Sequence, residues 1–391
     1  MRDRVVITAM GVVSALGIGA EANCAALLRG ESGVRAVRYL PTEHCEFPVG
    51  EVSMSGEELR ERLGLPSGVY SRTHLLGVLA LREALEQSKL LQQSGLALIS
   101  GTTVGGMDVT EHYFPEQQPA GRDIHDCGAS TNEIADYFDC FDYTMTSSTA
   151  CSSAMNALIM GKLLIESGER DIVVAGGAEA LSKFHLNGFK SLMILDTQRC
   201  RPFDQTRAGL NLGEGAAYLV LERESSALKR GVEILGVLSG AGNACDAHHQ
   251  TASSENGEGA YLAMTQALTD ASLSPSDIDY VNAHGTGTPN NDASESAALR
   301  RLFGDTLPPV SSTKSYTGHT TSASGSIEAT FCLMAMQYGF TPVQYEFENV
   351  DEQCITPIVE SNALNNGLNH VMSNAFGFGG NDSSIILSRY E

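Results

Sequence analysis

Apolar residues recur along the chain in two alternating rhythms. Short runs such as Val5–Thr8, Leu96–Ser100, Asp171–Ala175 and Ala216–Leu221 read as buried strands. Between them lie longer stretches with apolar residues every three or four positions. Ser71–Gln87 is one, with Leu75, Leu79 and Leu81–Leu85 on one face or its edge. Ser152–Ser167 is another, and Gly168 is placed to cap its C-terminal end. The strand Leu96–Ser100 runs into the glycine loop Gly101–Gly106, and Asp171–Ala175 runs into Gly176-Gly177. After Gly231 the alternation restarts. Val232–Leu238, Asp279–Ala283 and Ser383–Leu387 read as strands, Gly259–Ala271 and Gly325–Tyr338 as helices. Alternating strands and helices predict α/β layers. The similar order of elements on either side of a seam near residues 225–235 hints at an internal duplication. The halves are set at residues 1–230 and 231–391.

Length and charge narrow the picture. A chain of 391 residues holds two ordinary domains or one large one. Its formal net charge of −22 disfavours nonspecific binding to nucleic acid or to an anionic membrane, because the summed field repels polyanions. The nine cysteines are scattered, with no C-x-x-C pair, so neither a zinc site nor a disulfide framework is expected. Reduced thiols in a cytoplasmic protein are the simpler reading. Met1-Arg2-Asp3-Arg4 followed by the uncharged run to Ala20 mimics a signal peptide. Gly11, Gly17 and Gly19 interrupt it, and Val5-Val6-Ile7 reads better as a strand; no run is long enough to cross a bilayer.

Four motifs carry candidate chemistry. Cys151 lies in Ser147-Ser148-Thr149-Ala150-Cys151-Ser152-Ser153, between a strand-like run and a helix. A helix N-terminus favours a thiolate, and the turn exposes N–H groups able to hold an oxyanion. Asn282-Ala283-His284-Gly285-Thr286-Gly287-Thr288-Pro289 delivers a histidine into a loop that a ligand can approach closely. Ser312-Thr313-Lys314-Ser315-Tyr316-Thr317-Gly318-His319 follows, with Glu328 nine residues beyond His319 on a helix; a carboxylate facing inward there needs a partner, and Lys314 is a plausible one. Ser373–Gly380 alternates Phe376 and Phe378 with glycines, a flexible backbone suited to a gate beside a tunnel. Taken singly, each also fits a bland role: an inert buried thiol, a structural histidine, an unrelated surface pair, a packed turn.

In combination and order, these motifs resemble the elongating condensing enzymes of fatty acid and polyketide synthesis, the beta-ketoacyl-acyl-carrier-protein synthases of the thiolase-like superfamily. The resemblance runs from Val5–Ser14 through Val174–Glu179, Arg201-Pro202-Phe203-Asp204 and Leu212-Gly213-Glu214-Gly215 to Phe378-Gly379-Gly380. It implies a duplicated five-layered α/β/α/β/α fold and, usually, a dimer. It implies a Cys-His-His enzyme with Cys151 as nucleophile, His284 and His319 as the histidines, and Lys314 and Glu328 as a supporting pair. It further implies Phe378 and Phe376 at the oxyanion hole and gate, and Thr286 and Thr288 on a pantetheine arm. Val104, Met107 and Phe189 would line the acyl pocket, with Arg72 as a carrier-protein docking residue; Arg60, Arg62 and Lys190 are further basic candidates. The partner implied is an acyl carrier protein, which brings the phosphopantetheine itself. No metal or other cofactor is expected.

Two stretches depart from the family pattern. Thr110–Thr149 matches poorly and is shorter, in a region that relatives use for the dimer interface and tunnel floor. His319 is followed by Thr320-Thr321-Ser322-Ala323-Ser324-Gly325 and Gly380 by Asn381-Asp382, where relatives carry a Leu-Gly-Ala-Ala-Gly-like run and Thr-Asn. These departures point to a specialised branch, such as aryl-polyene or polyketide assembly. A chain-initiating synthase would carry Asn where His319 stands, and a catalytically dead chain-length partner would lack Cys151. A nucleotide-binding module would need a P-loop or a G-x-G-x-x-G after a strand. The remaining alternative is the catalytic subunit of a heterodimer with a chain-length partner.

Overall fold

The computed structural model describes residues 3–114, 126–359 and 367–391. Its first half contributes β1 (Val5–Ser14), β2 (Leu96–Gly101), β3 (Phe141–Ser147), β4 (Ile172–Glu179) and β5 (Gly215–Arg223). The second contributes β6 (Gly236–Cys245), β7 (Tyr280–Asn282), β8 (Val310–Ser311), β9 (His370–Gly377) and β10 (Asn381–Ser388). The spatial order is β3-β2-β4-β5-β1 followed by β6-β10-β9-β7-β8. Adding five to each label of the first half and reversing direction gives the second. The senses repeat too. β2 is parallel to β3 and β4, as β7 is to β8 and β9, while β5 and β10 run antiparallel to both neighbours. The halves join where β1 meets β6, antiparallel, at Val6–Val237 and Ile7–Gly236. A two-residue strand, Gly17–Ile18, hairpins back onto β1.

Helices cover both faces. α1 (Arg72–Gln87) and α2 (Cys127–Phe138) pack outside the first sheet half, burying Leu75, Leu76, Leu81, Leu85 and Ile134. α3 (Ser153–Glu166) comes next in the chain, then the short α4 (Lys183–Ser191). α5 (Glu258–Ala271) and α6 (Pro289–Phe303) cover the second half from outside through Met264, Leu268 and Leu299. α7 (Ser324–Tyr338) and α3 share the central cluster with both halves, through Met155, Leu158, Ile165, Ile327, Phe331 and Leu333. The result is the expected five layers: outer helices, sheet, α3 with α7, sheet, outer helices. Position explains composition. Residues Ser324–Met336 of α7 are all buried, as a helix between two sheets requires, and α7 has no polar face. β1 is buried along its whole length and reads as a continuous apolar run.

Several elements differ from expectation. The predicted strand Val232–Leu238 starts later and runs on, as β6, through Gly236-Val-Leu-Ser-Gly-Ala-Gly-Asn-Ala-Cys245. Its small residues carry little apolar signal, and the ladder with β10 defines it. The gate motif read as flexible is mostly β9, and only Phe378–Gly380 turns. Helices α2, α4 and α6 and the strand β9 went unread because their apolar faces are short or interrupted by polar residues. Of the poorly matching stretch Thr110–Thr149, residues 115–125 lie outside the described residues.

The central layer depends on close approach of α3 and α7. A Cβ on Gly325 would sit 2.7 Å from Met155 Cβ and 2.8 Å from its backbone nitrogen. Gly325→Val should therefore force the helices apart and cost about 1–3 kcal/mol of stability, measured as a lower urea midpoint. An unchanged midpoint would show that the crossing can give way freely.

Candidate active site

The nucleophile turn occupies the space between the end of β3 and the start of α3. Ala150 is held at φ 52°, in the left-handed region, a strain of about 1–3 kcal/mol for a residue with a Cβ. Serines hold it there. Ser153 Oγ accepts from the Thr149 N–H at 2.9 Å and donates to the Ala150 carbonyl at 2.6 Å, while Ser152 Oγ donates to the Thr149 carbonyl at 2.8 Å. The strained turn presents Cys151 to a cavity of about 330 Å³. The thiol is only 6% exposed, and burial pushes it up to about 11, against the charge of Lys314 and the backbone N–H groups of Phe378 and Cys151. The expected helix-end preference for a thiolate is thus outweighed by desolvation.

Both histidines reach the same cavity from the second half. His284 follows β7, and its ring meets that of His319 edge-on, with centroids 5.3 Å apart. His319 follows the helical turn Lys314–Thr317. Burial, then the charge of Lys314, holds both imidazoles well below the ordinary histidine range, so both are neutral. Lys314 Nζ donates to Glu328 on α7 at 2.6 Å, in a fully buried pair. Burial raises the Glu328 carboxyl and Lys314 pulls it back. The pair fixes a positive charge beside the thiol and the imidazoles, and its effect on each is to favour the anionic or neutral form.

The remaining cavity wall matches the sequence reading in part. Phe376, Phe378, Thr286, Thr288 and Phe189 all line it, and Phe189 stacks on Phe378 with centroids 5.7 Å apart. Thr286 and Thr288 hydrogen-bond each other at 2.8 Å. Val104 and Met107 lie in the loop after β2 and at the start of the following helix, and they are not among the residues lining this cavity. Gly377 approaches the nucleophile turn so closely that a Cβ there would lie 2.7 Å from the Thr149 carbonyl. Asn381, just past the gate, locks the contact: its Oδ1 accepts from Asn156 at 2.7 Å and Asn243 at 3.0 Å and lies 2.8 Å from Ser152 Oγ, whose one proton it shares with the Thr149 carbonyl.

Sequence reading missed three supports. Glu295, on α6, accepts from the N–H groups of His284 at 2.9 Å and Gly285 at 2.8 Å, and burial pushes it up to about 7. The signal was Pro289 following Thr288, a helix-start pattern. Glu179, at the end of β4, accepts from Thr102, Thr103 and Ser322, tying the glycine loop to the segment after His319. Ser324 Oγ lies 3.0 Å from His319 Nδ1. Nothing local marks Glu179 or Ser324, since their partners are distant in the chain or set by a turn.

Arg72 does not match the expectation of an exposed docking charge. Its side chain is 13% exposed and forks onto Glu214 at 2.6 and 2.8 Å, at the base of a separate cleft of about 740 Å³ that holds none of the cavity's histidines or Cys151. Glu214 continues the segment whose Asn211 carbonyl accepts from the His319 N–H, and whose Gly213 N–H donates to the His319 carbonyl. Arg72 therefore braces the backbone that carries His319. Arg60 pairs with Glu57 and Glu61, whereas Arg62 and Lys190 are exposed.

Fold and site together define a thiolase-fold condensing enzyme. The chain belongs to the beta-ketoacyl synthase family: residues 2–227 match the family's N-terminal domain and residues 235–348 its C-terminal domain. It is similar to 3-oxoacyl-[acyl-carrier-protein] synthase 2 of Rhizobium meliloti, 33% identical over 419 residues that cover 99% of each chain. Among solved structures it resembles the ishigamide ketosynthase/chain length factor, with a TM-score of 0.91 and 32% identity over the full length of both chains. It also resembles the ketosynthase ApeO in complex with its chain length factor ApeC from Xenorhabdus doucetiae, with a TM-score of 0.84, 32% identity and 99% and 98% coverage. Among the described residues no helix is long and apolar enough to cross a membrane, and no cluster of three His, Cys, Asp or Glu could hold a metal.

Two expectations follow. Alkylation of Cys151 by iodoacetamide should accelerate about tenfold per pH unit from pH 8 to beyond pH 10, because the thiolate fraction rises steadily below a value near 11. A plateau by pH 8 would mean that the thiol is ionised far more readily. Arg72→Ala should cost about 3 kcal/mol of stability by leaving Glu214 buried and unpaired. It should slow reaction with carrier-bound and small pantetheine thioesters alike; a loss confined to the carrier-bound substrate would restore a docking role.

Proposed function

We propose that this chain condenses an acyl group held on Cys151 with the malonyl group of an acyl carrier protein, releasing carbon dioxide and a beta-ketoacyl carrier protein. The observation that carries this reading is the convergence of a buried thiol and two neutral histidines on one cavity.

The thioester of the incoming acyl chain is attacked by the Cys151 sulfur, the carrier's pantetheine thiol leaves, and the acyl group stays on the enzyme. Backbone N–H groups of Cys151 and Phe378 already address the sulfur and are suited to hold the oxyanion of this step. Malonyl carrier protein then enters. Its pantetheine arm runs past Thr286 and Thr288. His284 and His319 each donate one N–H to the malonyl thioester carbonyl, which takes up negative charge as the carboxylate departs as carbon dioxide. The electron pair left on carbon attacks the acyl carbonyl, and the Cys151–acyl bond breaks. Neutral imidazoles suit the task, since each donates a proton without bringing a cation that would stabilise the departing carboxylate. Depressed basicity from burial keeps them neutral across physiological pH. Lys314 and Glu328 support both from below, and Phe376, Phe378 and Phe189 form the hydrophobic gate. The phosphopantetheine comes with the carrier protein.

A second reading concerns assembly. Two similar solved structures are ketosynthases recorded with a chain length factor, at 32% identity each. They support a heterodimer in which this chain is the catalytic subunit, beside the homodimer usual for the family. Size-exclusion chromatography of the chain alone separates the two: a self-sufficient, active dimer speaks for the homodimer.

Cys151→Ala should abolish acyl loading, followed by mass spectrometry. His284→Ala and His319→Ala should keep much of the loading while condensation falls about 10²–10³-fold per lost donor. Acyl-enzyme formed by Cys151→Ala would overturn the nucleophile, and normal condensation by either histidine variant would remove that histidine from the mechanism.

A further inference from the structure

The two active-site histidines are held differently. His284 Nδ1 is buried without a hydrogen-bond partner among the described residues. His319 Nδ1 lies 3.0 Å from the Ser324 hydroxyl, which lies 3.2 Å from the Thr320 hydroxyl; all three residues are buried. Ser324 opens α7, so its side chain is fixed by the helix rather than by a loop. Its position is fixed again from the other side, because Ser322 in the same turn donates to Glu179. The two hydroxyls are buried away from the cavity, whereas the imidazole lines it.

Proton counting gives the direction of this chain of contacts. A neutral imidazole has one N–H, and each hydroxyl one O–H. If Nδ1 carries the proton, it donates to Ser324, Ser324 donates to Thr320, and the Thr320 proton is left buried with no acceptor among the described residues. If Nε2 carries it, Thr320 donates to Ser324, Ser324 donates to Nδ1, and the one proton without an acceptor among the described residues is the Nε2–H, on a ring that lines the cavity rather than on a buried hydroxyl. Burying an unmatched hydroxyl costs free energy, so the second arrangement prevails. It leaves the Nε2–H free, with the ring lining the cavity.

We propose that Ser324, backed by Thr320, is a positioning residue that fixes the tautomer and ring orientation of His319, so that its Nε2–H serves as the donor in the condensation step. This rests on the role given to His319 above. Ser324 touches neither substrate nor sulfur and acts only through the imidazole. Hydroxyls at Thr320 and Ser324 stand in the segment that departs from the apolar run resembling the family, so the device belongs to this chain's own sequence.

The test compares Ser324→Ala, His319→Ala and the double variant. Loading of Cys151 from a hexanoyl pantetheine thioester and condensation with malonyl-acyl carrier protein are measured on each. Ser324→Ala should load within twofold of the parent, keep its KM for malonyl carrier protein within twofold, and lose about tenfold in kcat for condensation, the value of one hydrogen bond. In the His319→Ala background the same substitution should change nothing further, because the residue acts through the missing ring. Condensation by Ser324→Ala at the parent rate, with His319→Ala inactive, would overturn the inference alone. So would an equal loss in loading and condensation, or a full tenfold loss on top of His319→Ala. If His319→Ala itself condenses normally, the assignment of His319 falls first and takes this inference with it.

Discussion

The architecture depends on the close crossing of two helices in its middle layer. α3 and α7 meet where Gly325 faces Met155 with no room for a Cβ, and each is buried between the two sheet halves. By the internal symmetry these are equivalent helices, each following the third strand of its half. Packing them together brings their N-terminal ends together. Cys151 stands just before one, and His319 just before the turn that opens the other. His284 joins from the end of β7, the neighbouring strand. The duplication that builds the core thus also brings the three chemical groups to one cavity.

Exclusion of water then sets their chemistry. Desolvation is the largest influence on Cys151, His284, His319 and Glu328 alike. It keeps the imidazoles neutral and the thiol protonated in the resting protein. Lys314 is the counterweight. Its paired charge favours a sulfur anion and disfavours an imidazolium, which are the states a condensing enzyme uses. A charge buried this deeply needs its partner, and Glu328 supplies it from α7. The same helix therefore packs the core, balances the site's fixed charge and, through Ser324, orients a histidine.

Around this centre, carboxylates and amides fix backbone rather than substrate. Glu295 holds the N–H groups of His284 and Gly285, Glu179 gathers donors from the glycine loop and from Ser322, and Asn381 joins the gate to the nucleophile turn. Arg72 and Glu214 brace the segment whose backbone holds His319. Each contact replaces water at a group that would otherwise be buried unsatisfied. Tight backbone support is what allows Ala150 to remain in a strained conformation beside the sulfur.

The chain's order of apolar runs predicted α/β layers, and the combination and order of its four short motifs carried the family resemblance, which singled out Cys151, His284, His319, Lys314 and Glu328 as candidates. Singly each fits a bland role; they are legible together because a thiol at a strand-to-helix turn, histidines beside glycines and a possible Lys–Glu pair follow one another in the family's order. The tertiary structure decided what depends on distant neighbours. The strand β6 looks like a string of small residues until β10 lies against it. Arg72 reads as a surface cation until Glu214, 142 residues away, meets it. The helix end that favours a thiolate at Cys151 is visible in sequence, whereas the desolvation that outweighs it is not. Ser324 is one serine among many until the turn after His319 swings its hydroxyl to Nδ1. Sequence records which groups are present; only the packed fold fixes their distances and their exposure to water, and those two quantities govern hydrogen bonds and ionisation.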